Sequence, residues 1–503
     1  MQPILPINQN RSSWRVSLTF ISLAIVIGSA IGIFIAKFNN PIYILLGLVG
    51  LVAFIGTIAS VEFGLLFLIF ITYARVSDIA VHFHNAPSVA QAFIVLLILA
   101  ILIRWVVFNE KPVGWQLPAI LLGIYGLIGF ASVAYAENTT EVIYKLSNYV
   151  KDAIIALVIV ALMKRPPILR HVTWSLLTAG IFMGTLSVFQ YITGTFTSNY
   201  GGFAQAEFMN IAGATNDYRL SGPIGDPNFY AQIMLVLVPI ALERMLHEQK
   251  PVLKIIAGWA AVVSILTVVF TFSRGGFIGL MVALIIFAFL NPPRPVDVVF
   301  AIALGVGLLF FIPSSYYDRV LTLNSLLPGQ NGEGINVRQD NAIQGRASQA
   351  LTAWSMIKQY PLLGVGLNNF SSRYQEFSKE IGLAPSASAR SLHNLYLEVA
   401  TETGILGFSA FFMIIWLAVR SIINARRIFL ETSNDDYANL TIGLAAGFGG
   451  YLMAAFFVHS AYPRQYYLLI GIVFSLPLIA EQLRAALNGN KAQGSIYYDD
   501  KRT

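Results

Sequence analysis

The sequence predicts an all-α polytopic membrane protein with about fourteen transmembrane helices. Three observations lead there. Over 503 residues, 56% are hydrophobic and only 11% are charged, too apolar for a set of soluble domains. Apolar runs of about 20 residues, the length a helix needs to cross a hydrocarbon core roughly 30 Å thick, recur along the whole chain. Between the runs, Lys and Arg are distributed unevenly, as the positive-inside rule requires. Because lipid cannot satisfy backbone polar groups, the spans must be helices.

Taken in order, the spans are expected at roughly 15–37, 41–59, 61–75, 88–108, 116–135, 146–163, 168–194, 228–246, 252–272, 275–291, 296–313, 392–420, 436–458 and 465–482. The first run is long enough to span and has no small-residue cleavage site after it, so no removable signal is expected. The second and third are separated only by a short Gly/Ser-containing break. Residues 195–227 form a Gly/Asn-rich outer loop. Residues 314–391 form the one long outer loop: a Gly/Asn-rich first half, then RASQALTAWSMIKQ with Leu351, Trp354 and Ile357 at helical spacing and Pro361 ending it. PLLGVGLNNF turns the chain, and SSRYQEFSKEIG reads as a second amphipathic helix. The organisation is therefore 1–194 and 195–313 in the membrane, the loop domain 314–391, a membrane part 392–487, and a tail 488–503 expected to be disordered.

With both termini cytoplasmic, eighteen Lys and Arg fall on the cytoplasmic side and seven at the short outer loops and helix mouths. The net charge of +7 is explained by this bias and implies no nucleic acid. Cys is absent, which excludes disulfides and thiolate metal sites. Gly364 and Gly366 are followed by no GK[ST], so they make no phosphate loop. His82 and His84 have no acidic partner at ligand spacing, and the outer loops have no paired carboxylates for Mg²⁺.

This topology gathers the unusual polar residues at the outer face. RLSGPIGDPNFYA carries Arg219, Asp226 and Asn228, with Asp226 placed to cap the helix that Pro227 begins. TFSRGGFIGL puts Arg274 at a helix mouth, Arg346 starts the loop helix, and SLHNLYLEVATETGILGF opens a late span with His393, Asn394, Glu398 and Glu402. On a continuous helix, Gly404 lies eleven residues from His393 and returns to within about 20° of its face. Each residue also has a plain structural role. A boundary arginine commonly anchors to the interface, a capping Asp serves the helix, and the two glutamates can hydrogen-bond between helices. Together, several arginines and one histidine facing one cavity suit an anionic substrate, which guanidinium binds bidentately.

HNLYLEVATETG resembles the His-Asn-x9-Gly signature of the O-antigen ligase and O-antigen polymerase superfamily, with nine residues between Asn394 and Gly404. RLSGPIGDPNFYA, FSRGG and the GR…W…PLLGVGLNNF run also match its pattern, over about residues 200–470. The resemblance implies a GT-C-like inner-membrane glycosyltransferase with its active site on the periplasmic face. Its donor would be an undecaprenyl diphosphate-linked glycan, and its acceptor a glycan or lipid A-core. No metal or other cofactor is implied. Arg274 and Arg346 would hold the diphosphate, with Arg219 assisting. His393 would activate the acceptor hydroxyl, and Asp226, Asn228, Asn394, Glu398 and Gly404 would be architectural. A chain-length regulator or a flippase are candidate partners. The polymerase is favoured over the ligase by length and loop size, and a small-anion transporter is the rival from another class.

Overall fold

The computed structural model describes residues 41–212, 215–292, 341–382, 391–458 and 464–499. The expected spans at 15–37 and 296–313, and the first half of the long loop, lie outside the described residues.

The chain divides into two units. The first, residues 1–64, holds α1 (Pro41–Ala59) and the start of α2 (Val61–Tyr73). Within it the packing is local: the Phe63 ring lies against Gly56, and Thr57 Oγ1 donates to Ala53 O at 2.7 Å.

The second unit, from residue 65 onward, contains the remaining elements. These are α3 (Val76–His84), α4 (Val89–Phe108), α5 (Gln116–Ala131), α6 (Thr139–Leu162), α7 (Pro166–Thr193), α8 (Pro227–His247), α9 (Pro251–Phe270) and α10 (Arg274–Leu290). They are followed by α11 (Asn341–Gln359), α12 (Phe370–Glu380), α13 (Leu395–Glu431), α14 (Asp435–Ala454) and α15 (Arg464–Asp499). Among the described residues, seven helices are long and apolar enough to cross a membrane. They become eight if α2 and α3, bent by 55° at their junction, form one span. This is a multi-pass helical membrane protein. The helix α15 runs to Asp499, into the stretch from 488 onward expected to be disordered.

One departure from an all-α fold lies in the 195–227 loop. It contains an antiparallel hairpin, β1 (Ala206–Ala212) with β2 (Thr215–Leu220), in which Glu207 stands opposite Arg219. Pairing gives these polar residues backbone partners that an irregular loop would have to find in water.

The core is organised around α8, which is buried almost throughout. Asp226 caps it, accepting from Phe229 N at 2.8 Å, and Pro227 occupies the first turn, where its missing N–H costs nothing. Small residues bring its neighbours close. A Cβ on Gly279 of α10 would stand 2.8 Å from Gly450 O of α14, so these two backbones are in contact, the close approach that small residues permit between membrane helices. At the far end of α8 from Asp226, the fully buried Arg244 makes a bidentate pair with Glu243, both bonds 2.6 Å, and reaches Asp436 at 3.1 Å. Arg170 of α7 holds the other oxygen of Asp436 at 2.9 Å. This cluster ties α7, α8 and α14 together.

Candidate functional site

Arg274 is delivered by the turn between α9 and α10. Phe272 adopts a left-handed conformation (φ 51°), uncommon for a bulky residue, and is fully buried. Ser273 then caps α10, accepting from Gly276 N at 3.2 Å, and Arg274 becomes the first helical residue. Gly275 leaves room for Phe457, whose Cβ would lie 2.5 Å from any side chain added there.

His393 and Asn394 are delivered by the start of α13. The Asn394 side chain caps the helix, accepting from Tyr396 N at 3.0 Å and Leu397 N at 3.1 Å. Leu395 N donates to Ala455 O at 2.9 Å, and Tyr396 OH to Leu452 O at 2.6 Å, which fixes this end to α14. His393 stands immediately before the cap. It is therefore outside the helix, and the wheel that placed it on one face with Gly404 does not apply.

Arg346 comes from α11, which packs on α12 through Ala353, Met356, Phe370, Tyr374 and Phe377. The apolar residues that predict this helix do not all face that core: Leu351 and Trp354 are 56% and 54% exposed, on the opposite stripe.

These elements enclose one cavity of about 320 Å³. Arg274, Arg346, His393 and Asn394 all line it, with Gln349, Leu397, Phe456 and Phe457 among the other walls. The N-termini of α10 and α13 both open at this cavity, and the positive ends of their helix dipoles add to the charge of the guanidiniums. The combination favours a strongly anionic group. Gln349, Leu397 and the Phe456–Phe457 pair were not singled out in the sequence, where they are ordinary members of apolar or helical stretches.

Arg219 and Asn228 serve the site from behind. Arg219 is 4% exposed; its Nε donates to Thr271 O at 2.8 Å and its Nη2 to Asn228 Oδ1 at 3.0 Å. It thus joins β2 and the start of α8 to the turn that carries Arg274. Burial pulls the guanidinium down to about 10; Arg346 and Arg274 add to the effect, and Asp226 and Glu207 oppose it. Burial and Asp226 raise the Glu207 carboxyl, which the facing Arg219 counters.

Gly404 has a different part from the one its spacing suggests. At φ 60°, ψ −165°, a region essentially reserved for glycine, it breaks α13 rather than continuing it. A Cβ there would overlap the Leu362 carbonyl. The PLLGVG segment lies across the break and satisfies the freed backbone groups. Val365 N donates to Thr401 O at 2.9 Å and Gly366 N to Glu402 O at 3.0 Å, while Ile405 N donates to Pro361 O at 2.9 Å and Leu406 N to Leu362 O at 3.3 Å. The buried Glu402 carboxylate accepts from Asn368 N at 2.8 Å, and Asn369 exchanges hydrogen bonds with the Asn138 backbone. Glu398, in the first turn after Asn394, is also buried. Glu402 and the glycine therefore belong to the joint between the 361–369 segment and α13.

A second charged group was missed in the sequence. Arg464, at the start of α15, bonds Asp78 at 2.7 Å and the buried Asp152 at 3.0 Å, and Arg75 bonds the other Asp78 oxygen at 3.0 Å. These residues are scattered over almost 390 positions, so no local spacing reveals them. Among the described residues, no three His, Asp or Glu side chains converge in a way that could hold a metal.

A family model described as O-antigen ligase matches residues 259–412. The matched stretch contains Arg274, Arg346, His393, Asn394, Glu398 and Gly404; Arg219, Asp226 and Asn228 precede it. No curated protein matches the chain.

Proposed function

Taking the O-antigen ligase and polymerase superfamily, supported by the match over residues 259–412, as the group this chain resembles, we propose that it is a glycosyltransferase that moves a glycan from undecaprenyl diphosphate to an acceptor hydroxyl. The observation that carries the reading is the shared cavity of Arg274, Arg346, His393 and Asn394. In the reaction, the bond between the anomeric carbon and the diphosphate oxygen breaks, and the acceptor oxygen bonds to that carbon from the opposite side. The configuration inverts. Negative charge develops on the departing diphosphate, where Arg274, Arg346 and the two helix N-termini oppose it. Removing one such preorganised contact typically costs about 3–4 kcal/mol. His393 accepts the acceptor's proton, a contribution on the order of 10²–10⁴-fold. The guanidiniums supply the charge stabilisation, and no metal is needed in this scheme. The active site faces the periplasm, where the acceptor is found.

The acceptor is proposed to be another lipid-linked repeat unit, so that the product is a surface polysaccharide. The alternative is the ligase reading, transfer to lipid A-core, and the family match supports both branches alike. Purified protein supplied only with an undecaprenyl-diphosphate oligosaccharide separates the two. A ladder of longer lipid-linked glycans, absent with His393→Ala, identifies a polymerase. Transfer seen only after lipid A-core is added identifies a ligase. Inactivity of the folded protein under both conditions refutes the donor assignment.

A further inference from the structure

The end of α13 remote from the arginine cavity carries a second site. A cavity of about 640 Å³ lies between α13 and α15, with Trp416, Ile423 and Pro477 on its apolar side and Arg420, Asn424 and Arg427 on its polar side. Pro477 lies inside the continuous helix α15, where it has no N–H to offer the carbonyl four residues before it. Leu397 lines the first cavity and Trp416 to Arg427 line this one, so the two lie at different levels along α13.

The residues of α13 that line it combine apolar surface with cationic and hydrogen-bonding groups. Trp416 is half exposed, continuing the exposed apolar surface of Phe412 and Met413. The Arg420 guanidinium lies 4.8 Å from the Trp416 ring centre. Two turns further on, Arg427 donates to Asn424 Oδ1 at 2.8 Å, and its Nε lies 3.7 Å from Glu431. Over the roughly 16 Å from Trp416 to Arg427 the wall sets the apolar Trp416 and Ile423 beside the cationic Arg420 and Arg427. An acyl chain fits the apolar side chains, and a phosphate the guanidiniums. Snorkelling arginines on a plain helix would meet lipid equally well all round, but these two share a walled recess with hydrogen-bonding neighbours.

We propose that this recess binds an anionic glycerophospholipid, with its phosphate between Arg420 and Arg427 and its acyl chains along Trp416 and Pro477. Basic pockets between membrane helices recognise such headgroups, and each arginine contributes about fivefold in affinity. The proposal is independent of the reaction at the other cavity.

Detergent-purified full-length protein, stripped of lipid, would be titrated with phosphatidylglycerol and with phosphatidylcholine of the same chains, and bound lipid counted by native mass spectrometry. The wild type is expected to prefer phosphatidylglycerol. Arg420→Gln and Arg427→Gln should each lower that preference about fivefold and the double variant should abolish it, whereas Lys254→Gln, an exposed cation elsewhere, should leave it intact. Both arginines are surface residues, and unchanged thermal midpoints in phosphatidylcholine would confirm folding. Three results overturn the proposal: no preference in the wild type, a preference that survives in the double variant, or equal loss with Lys254→Gln. Displacement of the lipid by millimolar inorganic phosphate would identify a plain phosphate site and also overturn it.

Discussion

Arg219 and Arg274 occupy neighbouring positions in space and do different things. Both are buried arginines at the same turn, but Arg274 lines the cavity while Arg219 spends its hydrogen bonds on Thr271 and Asn228. Lysine tests the difference, because an ammonium keeps the charge and loses the planar fork. Arg274→Lys is expected to lower kcat about 10²-fold or more with an unchanged thermal midpoint. Arg219→Lys leaves a buried acceptor unsatisfied, at a cost of about 1–3 kcal/mol, so the midpoint and the activity should fall together. A thermal-shift series beside the transfer assay reads both; equal midpoints for the two variants would erase the distinction. At this scale the sequence was informative. Arg274, Arg346, His393 and Asn394 were legible because their chemistry resides in residue type, and a helix cap such as Asp226 or Asn394 is a local device. The wheel argument for His393 failed because it assumed an uninterrupted helix on both sides of the cap.

Among the elements, α13 shows why that assumption fails. Hydropathy runs smoothly through TETGILGF, and nothing local marks a break. The interruption is stabilised from outside, by four backbone hydrogen bonds from a segment about 40 residues earlier in the chain. Gly404 and Gly364 face one another's segments there, both with positive φ, and each would carry a Cβ into the other's backbone. Gly404→Ala should therefore cost more than about 3 kcal/mol, since strain and overlap combine. Gly123→Ala in α5, where a Cβ meets nothing within 4 Å, should be neutral or slightly stabilising. Fluorescence-detected size exclusion after heating compares them; a stable, monodisperse Gly404→Ala protein would mean that the joint tolerates another backbone path. The hairpin was hidden for a related reason. Its strands, AEFMNIA and TNDYRL, mix polar and apolar residues without a strict alternation and lie between two apolar spans, and pairing with each other gives them regular structure. In α11 the helix was legible but its orientation was not: apolar spacing marks a face to be kept from water, and in a membrane protein that face need not be turned inward.

For the whole molecule, two polar assemblies lie at opposite ends of the buried helix α8. Its Asp226 end is tied through Asn228 and Arg219 to the turn that delivers Arg274 to the cavity, and the Arg244–Glu243–Asp436–Arg170 cluster lies at the other. Lys and Arg counting predicts an orientation but treats Arg244 and Arg170 as markers only; their shared partner Asp436 comes from a helix far away in sequence, which counting does not see. Breaking the cluster by Glu243→Gln should cost about 3–5 kcal/mol, because Arg244 is left buried with half its pairing, and the loss should appear as reduced yield of folded protein. Orientation itself can be tested cleanly, since the chain has no cysteine to label in the background. Ser372→Cys, exposed on α12 in the loop domain, and Gln249→Cys, exposed beyond the Arg244 end of α8, lie on opposite sides if the positive-inside reading holds. A membrane-impermeant maleimide applied to intact spheroplasts should label Ser372→Cys at once and Gln249→Cys only after permeabilisation. The reverse pattern would turn the molecule over and place the arginine cavity in the cytoplasm, where a periplasmic acceptor could not reach it.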